Sequence, residues 1–195
     1  MLSRIDTVLF DLDGTLTVPV IDFDAMRRAL NLPAGVSITH ALEEMPEPER
    51  QRGYDIVRAA ELEAAKRAIA NRGAKELVQW LHERGFSTGI ITRNFAGAVD
   101  ITLTAIGLEF DVVITRDCAP PKPAPAPVIE ALRRLNRSAT AALMVGDYQD
   151  DILSGKAAGA LTCLVTNGQT EPAFEADIHV TWLSELLELF EQVRG

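Results

Sequence analysis

Five short apolar runs punctuate the chain: Val8–Phe10, approached from Ile5, then Thr88–Ile91, Val112–Ile114, Ala142–Val145 and Leu161–Val165. Each is rich in Val, Ile or Leu, is apolar at successive rather than alternate positions, and gives way to polar residues or glycine. A strand covered on both faces reads this way, because its side chains point alternately into two buried layers. Helical stretches lie between the runs. Ala74–Arg84 stops at Gly85, and Phe95–Ile106 has Asn94 placed to cap it and Gly107 to end it. Pro125–Leu135 opens with proline in its first turn, where the missing N–H is not needed. Gln149–Ala158 and an amphipathic Trp182–Val193 complete the series. Strand alternating with helix predicts an α/β fold, a doubly wound parallel sheet.

One stretch breaks the alternation. Residues 16–74 contain no convincing strand pattern. Asp22 is placed to cap a helix through Leu30, Thr39–Glu44 reads as a short helix, and Pro48–Ala70 is long, charged and alanine-rich, with Met45-Pro46-Glu47-Pro48 as a turn before it. The charges of that long segment (Glu49, Arg50, Arg58, Glu61, Glu63, Lys66 and Arg67) read mostly as a solvated face. The expected organisation is therefore an α/β core of residues 1–15 and 75–195 with an all-helical insertion, residues 16–74, after the first strand.

Composition narrows the classes. At 195 residues, 47% hydrophobic and 24% charged, the chain can bury a core and is not disordered as a whole. Its net charge of −9 repels nucleic-acid backbones and anionic membranes, so neither is an expected partner. An anionic substrate would need positive potential created locally. Cys118 and Cys163 form no CxxC pair and read as reduced thiols. The N-terminus lacks a signal-peptide pattern and no apolar run approaches the ~20 residues of a membrane span, so a soluble, cytoplasmic protein is expected.

In open α/β sheets ligands bind beyond the carboxyl ends of the strands, so the residues after each run carry the functional reading. After the first come Asp11-Leu12-Asp13-Gly14-Thr15. Residues i and i+2 of a strand project together, and two adjacent carboxylates stay ionised only beside a cation; a hard divalent ion suits them. Gly14 permits close backbone approach to a ligand. After the second come Thr92-Arg93-Asn94, whose hydroxyl at a helix start suits a phosphoryl oxygen. After the third come Thr115-Arg116-Asp117 and then Pro120-Pro121-Lys122-Pro123, a lysine fixed between prolines. After the fourth come Gly146-Asp147 and, one helical turn on, Asp151, a second carboxylate cluster that would complete an oxygen cage for Mg²⁺.

These motifs, in this order, resemble those of the haloacid dehalogenase superfamily, specifically its phosphatase branch: Asp11 to Leu16 resembles the first motif, Thr92 the second, Lys122 the third, and Gly146-Asp147 with Asp151 the fourth. Ala176-Asp177 followed by the last helix is similar to the ending of phosphoglycolate-phosphatase-like members, and the insertion is similar to a short helical type-one cap. The resemblance implies a Rossmann-like core and a magnesium-dependent phosphatase acting on a small phosphorylated metabolite through a covalent aspartyl-phosphate. It implies Asp11 as nucleophile and Asp13 as acid and base. Gly14, Thr92, Arg93 and Lys122 would contact the phosphoryl group. Asp11, Asp13 through its main-chain carbonyl, and Asp147 would hold the metal, with Asp151 supporting it or orienting Lys122.

A phosphomutase on the same scaffold and a non-enzymatic phospho-ligand module are the alternatives. A haloacid dehalogenase is disfavoured by Asp13, and a receiver domain by the helical insertion. The repeated Thr-Arg pairs at 92–93 and 115–116 suggest that Arg93 or Arg116 reaches the non-phosphate part of the substrate, unless a local acid such as Asp117 or Asp150 claims it. Gly35, Arg50, Arg52 and Tyr54 are the insertion residues expected to reach inward; His40, His82 and His179 read as structural. The expected state is a monomer or homodimer.

Overall fold

A computed structural model describes residues 2–169 and 174–194, with the side chain of Thr39 outside the description. Six strands form one sheet in the order β3-β2-β1-β4-β5-β6, every neighbouring pair parallel. They are β1 (Thr7–Phe10), β2 (Ser87–Ile91), β3 (Val112–Ile114), β4 (Ala142–Gly146), β5 (Leu161–Val165) and β6 (Ile178–Val180). The order reverses beside β1, where the chain winds outward in both directions, and that places the ends of β1 and β4 side by side at a crevice.

The buried runs behave as two-faced strands. Val8 and Phe10 join one apolar cluster while Leu9 joins the other; Leu143 and Val145 separate from Ala142 and Met144 in the same way. Helices α4 (Ala74–Glu83) and α8 (Leu183–Arg194) cover the first face, and α6 (Ala126–Leu135) covers the second, beside α7 (Gln149–Ala158), which packs on β4 and β5. On the first face Trp80, Phe86 and Phe190 stack with centroids 5.5–5.8 Å apart. Helix α5 (Ala96–Ile106) follows β2 and starts later than its sequence suggests. Asn94 does not cap it; its Oδ1 accepts from the Phe95 N–H and its Nδ2 reaches Asp13.

Between β1 and α4 lie three helices: α1 (Phe23–Ala29), capped by Asp22; α2 (Ile38–Glu44), capped by Ser37; and α3 (Glu49–Lys66). They share a small core of Met26, Leu42 and Val57. Helix α3 then packs on α5 through Ala65, Phe95 and Ala98. The sixth strand had no counterpart in the apolar runs. His179 interrupts its three residues; the strand pairs with β5, and Asp177 just before it adds to the join, its Oδ2 accepting from the N–H and hydroxyl of Thr162 on β5.

Candidate active site

The carboxyl ends of β1, β2, β3 and β4 deliver the acidic and basic residues to one place. Asp11 leaves β1 with its N–H bonded to the Val145 carbonyl, which fixes it against the end of β4. Lys122, in the loop after β3, reaches back under the sheet end. Its Nζ lies 2.5 Å from Asp11 Oδ1, 2.5 Å from Asp151 Oδ1 and 2.8 Å from the Ile91 carbonyl. All three ammonium donors are used, and the side chain is 3% exposed. Burial alone would push this lysine toward neutrality; the two carboxylates reverse the direction and hold it charged above its usual value.

The acids outnumber that cation. Asp11, Asp147 and Asp151 each place a carboxylate oxygen within 4.8 Å of the others. Burial drives the Asp11 carboxyl well above its usual range, Lys122 opposes this, and Asp151 and Asp147 add to it. Asp147 is pushed to about 6 by burial and then by Asp151. Three carboxylates against one ammonium leave excess negative charge in a poorly solvated corner. An oxygen-only donor set of this kind fits a hard divalent cation such as Mg²⁺. The Asp13 side chain stands apart from the cluster: its Oδ2 accepts from Asn94 at 3.1 Å, and burial raises its carboxyl while Asn94 and Lys122 pull it down.

Gly14 allows the two strand ends to meet. Its φ is +98°, and a β-carbon there would lie 2.8 Å from Asp147 Cγ and closer still to Oδ2. The same loop is pinned from outside by two asparagines that the sequence did not single out. Asn71 donates to the Thr15 carbonyl and to Asn167 Oδ1, and Asn167 donates to the Gly14 carbonyl at 2.7 Å. Thr15 donates to Asp147 Oδ1 at 3.2 Å. Thr92 is buried, follows Ile91 directly, and its Oγ1 accepts the Asn94 N–H.

The two arginines take carboxylate partners. Arg93 pairs with Asp150 at 2.8 Å, one of the local acids named for it. Arg116 makes a bidentate pair, 2.7 and 2.9 Å, with Glu61 on α3. That partner corrects the view of the α3 charges as a solvated face, since Glu61 is only 7% exposed. Of the insertion residues expected to reach inward, Arg50 pairs with Glu47 and Gly35 has open space around it. The signal for Glu61 was its place in the stripe Val57, Glu61, Ala64, Ala65 of buried α3 positions, which a charged residue does not reveal by polarity.

The family model described as haloacid dehalogenase-like hydrolase matches residues 18–165, more than half of the chain. The chain belongs to the haloacid dehalogenase-like hydrolase family. A haloacid dehalogenase-like hydrolase domain-containing protein of Arabidopsis thaliana is 34% identical, over 97% of this chain and 85% of its own length. Pyrophosphatase PpaX of Bacillus velezensis is 32% identical over 96% of this chain and 97% of its own. The fold of this hydrolase is shared with a hydrolase from Pseudomonas syringae, at a TM-score of 0.82 and 21% identity, covering 97% of this chain and 100% of that one. Among the described residues no helix is long and apolar enough to cross a membrane.

Proposed function

We propose that this hydrolase cleaves small phosphate monoesters by transferring the phosphoryl group to Asp11 and then to water. The observation that carries the reading is the buried Lys122 ammonium shared by Asp11 and Asp151, with Asp147 closing a carboxylate cage at the ends of β1 and β4. A surface salt bridge needs no such burial. A site that receives a dianionic phosphoryl group needs fixed positive charge shielded from water, and a lysine held on three acceptors provides it without reorganising. The relationship to pyrophosphatase PpaX supports a substrate that is small and carries phosphoryl groups.

An oxygen of Asp11 attacks phosphorus, the bond from phosphorus to the leaving oxygen breaks, and Asp13 gives that oxygen a proton. A raised carboxyl suits this acid role, and its bond from Asn94 fixes its direction. Water then attacks the aspartyl-phosphate, returns a proton to Asp13, and inorganic phosphate leaves with Asp11 regenerated. Lys122 sets its charge beside the phosphoryl oxygens and the Thr92 hydroxyl donates to one of them, while the Gly14 N–H, bonded to the Thr17 carbonyl, fixes the turn around them. Asp11, Asp147 and the main-chain carbonyl of Asp13 would hold Mg²⁺, with Asp151 supporting it or orienting Lys122, and the ion would add neutralisation of phosphoryl charge.

The test is phosphate release from p-nitrophenyl phosphate and a panel of small phosphate esters, with Mg²⁺ and with EDTA, in the wild type and in Asp11→Asn. Metal-dependent turnover abolished by the substitution is the expected result. Turnover that survives Asp11→Asn overturns the covalent mechanism, and none at all from folded, metal-loaded wild type overturns the phosphatase reading.

A further inference from the structure

Arg58 is an exposed residue of α3, one turn before Glu61 and on the same side of that helix. Its guanidinium lies over the Phe95 ring, 4.5 Å from the centroid, and Phe95 directly follows Asn94, the residue bonded to Asp13. Arg116 approaches the same ring at 5.5 Å. Glu61 connects the group electrically. Its carboxyl is raised chiefly by burial, lowered by Arg116, raised again by the charge of Asp13 and lowered by Arg58. Asp13, Asn94, Phe95, Arg116, Glu61 and Arg58 therefore form one continuous wall that starts at Asp13 and ends at the exposed guanidinium of Arg58.

The cations of that wall differ in what they still offer. Arg116 has its fork filled by both oxygens of Glu61. Arg93 is drawn toward α7 by Asp150. Arg58 makes no ion pair among the described residues. Stacking occupies only the face of a guanidinium; its N–H donors lie in the plane and point outward at the edges. The ring of Phe95 thus fixes the plane of Arg58 and leaves its edge free for a planar or tetrahedral oxyanion.

We propose that Arg58, seated on Phe95, is the residue that selects the substrate's leaving group, and that the leaving group it selects carries an oxyanion, either a carboxylate or a second phosphoryl group. The selection rests on the phosphatase reading above, because it assumes that the leaving group departs beside Asp13. Glu61 then has a definite part: by filling Arg116 it leaves a single unfilled guanidinium on this wall, so the wall distinguishes one extra anion from none.

The experiment measures kcat/KM for 2-phosphoglycolate and pyrophosphate, which supply the two oxyanions, against p-nitrophenyl phosphate and glycerol 2-phosphate, which supply none. It does so in the wild type, Arg58→Ala and Arg58→Lys. In the wild type at least one anionic substrate is preferred over both neutral ones, and which of the two names the oxyanion. Arg58→Ala lowers the anionic-to-neutral ratio by about 3- to 10-fold, mainly through KM, the loss expected for one charged hydrogen-bond partner on an exposed side chain. Arg58→Lys restores the ratio only in part, since an ammonium keeps the charge without the flat fork. Using a ratio removes any general loss of folded enzyme. A wild type that turns over p-nitrophenyl phosphate through Asp11 but shows no anionic preference overturns this inference alone, as does a ratio unmoved in Arg58→Ala. A wild type inactive on all four substrates removes the phosphatase reading and this inference with it.

Discussion

At the scale of single residues, Gly14 is held to its identity twice, by a φ of +98° and by the Asp147 carboxylate packed where a β-carbon would stand. Either constraint alone could be relieved by a small shift; together they require the Asp11–Thr15 turn and the start of α7 to separate. Gly14→Ala is expected to lower the unfolding free energy by about 1–3 kcal/mol and, by misplacing Asp147, to cut turnover by about 100-fold. Chemical denaturation and steady-state kinetics on the same preparation check both. The two cysteines contrast as sharply. Burial pushes the Cys163 thiol up, whereas the exposed Cys118 thiol is lowered by Thr115, whose hydroxyl lies 3.5 Å from its sulfur. A hydrogen bond to the thiolate lowers the pKa, so alkylation of the native protein should modify Cys118 alone, with a rate that rises with pH about a midpoint below that of an ordinary thiol. Thr115→Val should move that midpoint upward; iodoacetamide labelling read by mass spectrometry measures it, and native labelling of Cys163 would contradict the burial.

At the scale of elements, the first face of the sheet is held by the aromatic group of α4, α8 and the approach to β2. Phe190 is fully buried between Trp80 and Phe86, while Trp80 carries a buried Nε1–H with no partner among the described residues and its ring under Arg84 at 4.1 Å. Phe190→Ala leaves a cavity and should cost about 3–5 kcal/mol. Trp80→Phe also loses volume but removes an unsatisfied donor, so its cost should stay below about 1.5 kcal/mol; urea unfolding of the two variants decides it, and equal costs would mean that the indole N–H has a partner after all. What was legible in the sequence follows the same division. Five strands could be read because each is covered on both faces, and the acids could be read because they follow the runs directly; the i, i+2 pairing did not hold, since Asp11 and Asp13 lie beyond β1 and only Asp11 joins Asp147 and Asp151. β6 could not, since three residues containing His179 make no apolar run, although they pair with β5 along their whole length. Asn71 and Asn167 meet across the fold to hold Gly14, and neither has a local pattern. Glu61 and Arg58 belong to a helix whose charges looked uniform; only the seating of α3 on α5 separates the buried pair-former from the stacked one and from those in water.

At the scale of the whole molecule, a chain of net charge −9 concentrates three of its carboxylates within 4.8 Å of one another beside a single lysine. Repulsion of that kind destabilises the fold wherever the excess is not neutralised, and the rest of the surface, being acidic, gives no help. A divalent ion bound only by the folded chain must therefore raise stability by mass action, by about 2.7 kcal/mol at one hundred times its dissociation constant, or some 5–10 °C in melting temperature for a chain of this size. Added salt also relieves a net charge of −9 by screening, so the comparison is MgCl₂ against NaCl at equal ionic strength. Asp147→Asn separates the two effects. It removes one member of the repelling cluster, so the variant should melt above the wild type in EDTA, while its response to Mg²⁺ should shrink toward that to NaCl. The two curves should cross, with Asp147→Asn the more stable protein without the ion and the less stable one with it. If Mg²⁺ and NaCl stabilise the wild type equally, the cluster binds no divalent ion; if Asp147→Asn melts below the wild type in EDTA, repulsion within the cluster is not what limits the stability of the ion-free protein, because asparagine keeps the Oδ1 acceptor for Thr15.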